Sequence, residues 1–100
     1  MAKIHLLRGY KSTVYFVERV SEGDRLVQLQ FRSNGQVDQS KVFQVSDGQI
    51  VAFGYDGDNR TNKKEETRQA LYVMDDRQHI YHIVAENGVK YNLNRSYHLD

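Results

Sequence analysis

The sequence predicts an all-β fold, a small antiparallel meander of seven to eight short strands closing into a barrel or a sandwich. Three observations predict it. Short runs alternate apolar and polar residues, the period-two signature of a strand with one dry face and one wet face. The apolar residues favour strands, with valine frequent beside seven tyrosines and four phenylalanines. Four of the seven glycines follow Asn or Asp, at Asn34-Gly35, Asp47-Gly48, Asp56-Gly57 and Asn87-Gly88, so turn signals punctuate the runs.

Taken in order, residues 3–8 read as a first strand ended by Gly9. Residues 12–20 alternate Val14, Phe16, Glu18 and Val20 against Thr13, Tyr15, Val17 and Arg19. Both faces are partly apolar, which places that strand inside a sheet. A turn at 21–24 leads into Val27, Leu29 and Phe31, which alternate with Gln28, Gln30 and Arg32. Asn34-Gly35 then makes a hairpin. A three-residue loop of Asn34, Gly35 and Gln36 sets Val27 opposite Phe43 and Phe31 opposite Gln39, with glycine free to take the left-handed position. The run 36–41 is polar enough to read partly as hairpin tip. Asp47-Gly48 turns the chain into a strand over 49–53, ended by Gly54.

Residues 55–68 break the pattern, with no apolar period and many Asp, Asn, Lys and Glu. Two readings compete for 62–74. In one, Asn62 caps a short helix with Glu65 three residues on, and Thr67, Ala70, Leu71 and Met74 form its stripe. In the other, preferred because Asp75-Asp76-Arg77 then closes a hairpin, residues 69–74 are a strand. Strands over 78–85 and 89–93 pair around Asn87-Gly88, with Val89, Tyr91 and Leu93 facing inward, and the tail 94–99 adds a half-strand. The expected core is Val14, Phe16, Val27, Leu29, Phe43, Val51, Phe53, Ile80, Val84 and Leu93.

One hundred residues suit one domain, 1–100, able to bury a core without staples. Cysteine is absent, which removes disulfides and thiolate chemistry, and so is proline. The N-terminus lacks the apolar stretch of a signal peptide and no run reaches membrane-spanning length, so the reading places the chain in the cytoplasm.

The sequence offers little catalytic chemistry, and the reading is of a protein that is not an enzyme and takes no cofactor. His79 and His82 fall on opposite faces of a strand, and His82 shares its face with Ile80 and Val84, the setting of a hydrogen-bonded, half-buried structural histidine. A zinc set would have to recruit His5, His98 and carboxylates from elsewhere, so no metal site is expected. Asp56-Gly57-Asp58-Asn59 resembles the start of a calcium loop, but Arg60 stands where a third oxygen ligand belongs and Thr67 at the closing position. Asp75-Asp76 reads as a solvated turn rather than a catalytic pair.

Two binding readings remain. In the preferred one the chain is an adaptor or inhibitor that engages a protein partner through a sheet edge and the 55–68 loop. Tyr55, Asp56, Asp58, Arg60, Lys63 and Lys64 carry the contact, because a loop of mixed charge suits a protein surface. Edges without proline also allow pairing with a second copy into a homodimer. In the alternative the chain binds single-stranded RNA or DNA through Lys3, Arg8, Lys11, Lys90, Tyr91, Arg95, Tyr97 and His98, where aromatics interleave with cations. A net charge of only +1 argues against it.

Overall fold

The computed structural model describes residues 3–10, 12–56, 60–61, 67–86 and 90–99, with the backbone alone for 3–10, 60–61 and 67–68. These residues form strands and turns, with no helix among them, in two antiparallel sheets. Among the described residues no helix is long and apolar enough to cross a membrane. The hydrogen-bonded meander stops after the fourth strand and starts afresh, and the chain divides into two compact units, Met1–Ile50 and Val51–Asp100.

The first sheet runs β1 (Lys3–Tyr10), β2 (Thr13–Arg19), β3 (Arg25–Phe31) and β4 (Val37–Gln44), neighbours in space as in sequence. As the two-sided apolar pattern predicts, β2 is an interior strand. Its core is not the expected one-sided stripe. Tyr15, Val17 and Leu26 are fully buried on one face, and Phe16 and Val27 are buried on the other. Val14, Leu29 and Phe43 are only half-buried, and Phe31 is exposed. The glutamines explain the difference. Gln28 donates to the Tyr15 hydroxyl (3.0 Å), Thr13 donates to Gln30 (2.9 Å), and Gln30 donates to Ser12 (3.1 Å). Their amides are satisfied across the strands, so the face the pattern marks as wet carries much of the packing.

The β3–β4 hairpin has the expected three-residue loop, but its members are Ser33, Asn34 and Gly35. Arg32 and Gln36 pair across it (2.8 Å), Gly35 donates back to the Arg32 carbonyl (3.1 Å), and Gly35 takes φ +91°. Phe31 therefore faces Val37 and Val27 faces Lys41, two residues from the expected register. Asn34 decides this, because its side-chain oxygen accepts from the Gln36 backbone N–H (3.0 Å) and draws Gln36 out of the loop. Of residues 36–41, 37–41 are strand rather than tip, though all six are exposed.

At the opposite end of this unit Asp24 is a buried anchor. It receives both Nε and an Nη of Arg19 (2.9 Å each) and the Ile50 backbone N–H (2.9 Å). The turn before it locks onto the turn after β4. Asp24 N–H donates to the Gly48 carbonyl, Val45 N–H to the Asp24 carbonyl and Asp47 N–H to the Glu22 carbonyl, at 2.8–2.9 Å.

The second sheet runs β5 (Ile50–Tyr55), β7 (Thr67–Asp75), β8 (His79–Ala85) and β9 (Asn92–His98), with the two-residue β6 (Arg60–Thr61) also on β7. Thr67, Ala70, Leu71 and Met74 lie on strand β7, so the strand reading of 69–74 holds and the helical stripe does not. The proposed cap residues Asn62 and Glu65 lie outside the described residues, as do Asn87, Gly88 and Val89. Ala70, Leu71, Val73, Ile83, Val84 and Ala85 form the core of this unit, with Phe53 also buried. Ile80 is half-buried. Val51 and Leu93, both expected inside, are 46% and 53% exposed. Leu93 pairs with the buried Ile83 but is exposed on β9, the last strand of the sheet order, whose body is the expected 94–99 half-strand.

Candidate functional site

The site starts from β8, where period two sends His79 and His82 to opposite faces as expected. His82 pairs with Tyr72 on β7 and with Arg95 on β9. It is buried, more deeply than the sequence suggested, and the Tyr72 ring stacks on it at 4.6 Å with 21° between planes. Two side chains hold its ring. Nε2 lies 2.8 Å from Asp56 Oδ2 and Nδ1 lies 3.0 Å from Asn94 Nδ2. With the amide N–H of Asn94 donating to Nδ1, the ring donates from Nε2 to the Asp56 carboxylate.

Asn94 reaches His82 because β9 carries one extra residue there. His82 faces Arg95 while Ile83 faces Leu93, and Asn94 is the residue left over. A bulge of this kind re-aims side chains. Beyond it, Arg95 and Tyr97 share the His82 face with Tyr72, and Ser96 and His98 lie on the other. Tyr72 and Tyr97 are 39% and 44% exposed, and the exposed Arg95 shares the Tyr72–His82 rung, two residues before Tyr97 on β9. Asp56, at the start of the 55–68 segment, is also fixed through its backbone, donating to the Ala70 carbonyl at 2.9 Å.

The opposite face carries a second cluster. Asp75 is buried, where the sequence suggested a solvated turn; its neighbour Asp76 is exposed as expected. Asp75 accepts from the backbone N–H of Arg77 and of His79 and from the Tyr81 hydroxyl (2.9 Å each), and from His79 Nδ1 (3.2 Å). The turn closes over its own first residue. Burial pushes its carboxyl up, but these four donors outweigh burial and hold it below the ordinary carboxylate range. Tyr81 moves the other way: burial, then its bond to Asp75 and that carboxylate's charge, raise its hydroxyl against the pull of Arg77.

The sequence-selected residues fall unevenly around these clusters. Tyr55 is half-buried at the end of β5 and Asp56 belongs to the His82 chain. Arg60, Lys3 and Arg8 lie on strands whose backbone alone is described; Asp58, Lys63, Lys64 and Lys11 lie outside the described residues. Lys90 is exposed, and Tyr91 is half-buried with its hydroxyl donating to Gln69 at 2.8 Å. Arg95 and Tyr97 share one face, while His98 turns to the other and meets His79, ring centroids 4.8 Å apart. Tyr72, His82 and Asn94 were not selected. The one signal for Tyr72 is its parity with His82 across the hairpin, which requires the register. No family model, curated protein or solved structure matches the chain.

Proposed function

We propose that the protein is a cytoplasmic, non-enzymatic interaction module that engages a protein partner through edge strand β9 and the base of the 55–68 segment. The observation that carries this reading is the hydrogen-bonded chain from Asp56 through His82 to Asn94. It ties the start of the segment and the edge strand to one sheet face, beside Tyr72, Arg95 and Tyr97. Exposed tyrosines and arginine on a rigid scaffold supply the side chains that dominate protein interfaces. The test is cross-linked capture followed by titration of the purified partner. Arg95→Ala with Tyr97→Ala should keep the fold and weaken binding at least ~30-fold, the cost of two hot-spot residues. A partner that binds the double variant as tightly as the parent excludes this surface.

Single-stranded nucleic acid is the second reading, favoured by the same tyrosines with Arg95 on their face as a stacking and phosphate surface. Charge weighs against it. The unit that holds this face has 7 Lys and Arg against 8 Asp and Glu. In the other unit Arg19, Arg25 and Arg32 are paired with Asp24, Glu18 and Asp38. Gel retention of labelled oligonucleotides separates the readings, since each neutralised phosphate adds about −0.7 to the slope of log affinity against log salt. Retention at low salt with such a slope would favour nucleic acid over a protein partner.

A further inference from the structure

We infer that His79 and His98 form a two-histidine chelate for a zinc-class divalent cation on the sheet face opposite His82. The pair is set by the register, which places His79 directly across from His98 on the last rung between β8 and β9. Two imidazoles bound to one zinc through bonds of about 2.0–2.1 Å, at a tetrahedral angle, hold their ring centroids about 5 Å apart. The two rings here stand 4.8 Å apart and tilted by 51°, close to that spacing and away from a parallel stack.

The second requirement is an oriented ligand, and Asp75 meets it. His79 Nδ1 faces the buried Asp75 carboxylate at 3.2 Å, so the Nδ1 proton is held inward and the lone pair of Nε2 is left for a cation. Carboxylate–histidine–metal relays fix tautomer and ring in this way and raise the basicity of the ligand. Asp75 is itself fixed by the backbone N–H groups of Arg77 and His79 and by the Tyr81 hydroxyl, so the relay is rigid from the turn outward. The His79 side chain is 41% exposed and His98 lies on an outer strand, which gives a cation an entry path from solvent. Imidazole pairs select zinc, copper or nickel over magnesium and calcium, which prefer oxygen. Among the described residues no group of three or more His, Cys, Asp or Glu is placed to hold a metal ion. From the described residues the chelate draws two protein ligands, His79 and His98.

The test uses the untagged full chain and zinc chloride as probe. The expected result is one zinc per chain, with proton resonances of the His79 and His98 rings moving together and those of His82 unmoved. Saturating zinc should raise the melting temperature, because it binds the folded chain alone. His98→Ala, at an exposed position, should keep the fold, checked by its amide spectrum, and lower zinc affinity at least ~10-fold. Asp75→Asn should lower it about 10–100-fold, the usual effect of losing the group behind a ligand. Magnesium should give no shift. Zinc that moves neither ring in the parent protein overturns the chelate without recourse to any variant, and so does affinity unchanged in His98→Ala.

Discussion

Asp24 and Asp75 carry the same structural task with different donors. Each sits buried where the second strand of a four-stranded meander gives way to the third, and each gathers the turn around its carboxylate. Asp24 is neutralised by a bidentate arginine and Asp75 by neutral donors and a histidine, so they respond differently to change. Arg19→Ala leaves a buried carboxylate without its guanidinium and should cost about 3 kcal/mol, with Arg19→Lys recovering part, since an ammonium lacks the planar fork. Asp75 has its folded pKa lowered. Its stabilising share is therefore complete above its unfolded value of about 4 and is lost as pH falls through the folded value. Tyr81, whose pKa is raised, contributes below about pH 10 and loses that contribution as pH rises through its folded value. Urea melts in the presence of a chelator should show Asp75→Asn less stable by about 1–3 kcal/mol at neutral pH, with a flatter acid limb. An acid limb as steep as the parent's would contradict the assignment of that limb to Asp75.

Two glycines of positive φ separate local strain from packing. Gly35, at φ +91°, would give an added Cβ open space. Gly23, at φ +125°, would put that Cβ 1.9 Å from the Val45 carbonyl oxygen, where the two turns of the first unit lock together. Gly35→Ala should cost about 1–2 kcal/mol, the backbone strain alone. Gly23→Ala should cost about 3 kcal/mol or more, because backbone must move as well; equal melting temperatures for the two variants would refute the contrast. The same elements show what the sequence could and could not reveal. Period two, the Asn34-Gly35 signal and the Asp75-Asp76-Arg77 turn were enough to find β2, β3, β7 and β8, since those features act over a few residues. Register was not legible at 32–36, where a single Asn34 side chain moves the pairing by two. Burial was misread wherever it depended on partners distant in sequence. Gln28 and Gln30 are tolerated on a packed face because Tyr15 and Thr13 reach them, and Asp75 is buried because His79 and Tyr81 fold back over it. The candidate site was legible only in pieces. Asp56, Arg95 and Tyr97 stand out as residue types, but what joins them is Asn94, an extra residue that no alternation pattern marks.

At the scale of the whole molecule, a chain with no proline must protect its sheet edges in another way. The registers supply it. β1 advances three residues, from Ile4 to Leu7, while β2 advances two, β4 carries Val42 as an extra residue opposite Leu26 and Val27, and β9 carries Asn94. All three of these irregularities lie on strands at the end of a sheet order. A bulge bends and twists an edge so that a second flat strand cannot pair along its length. The remaining stretch of β9 carries Arg95, and antiparallel self-pairing centred on that residue would set it against its own copy, like charges directly opposite. We therefore expect the full chain to remain monomeric by light scattering at high concentration, with the homodimer reached only when both devices are removed. Deleting Asn94 straightens β9, and Arg95→Thr in addition removes the repulsion and inserts a strong strand former. The combined variant should elute as a dimer or larger species, with Arg95→Thr alone still monomeric. A parent protein that dimerises at micromolar concentration would show that the bulges do not guard the edge. A combined variant that stays monomeric would show that β9 is not the edge being guarded.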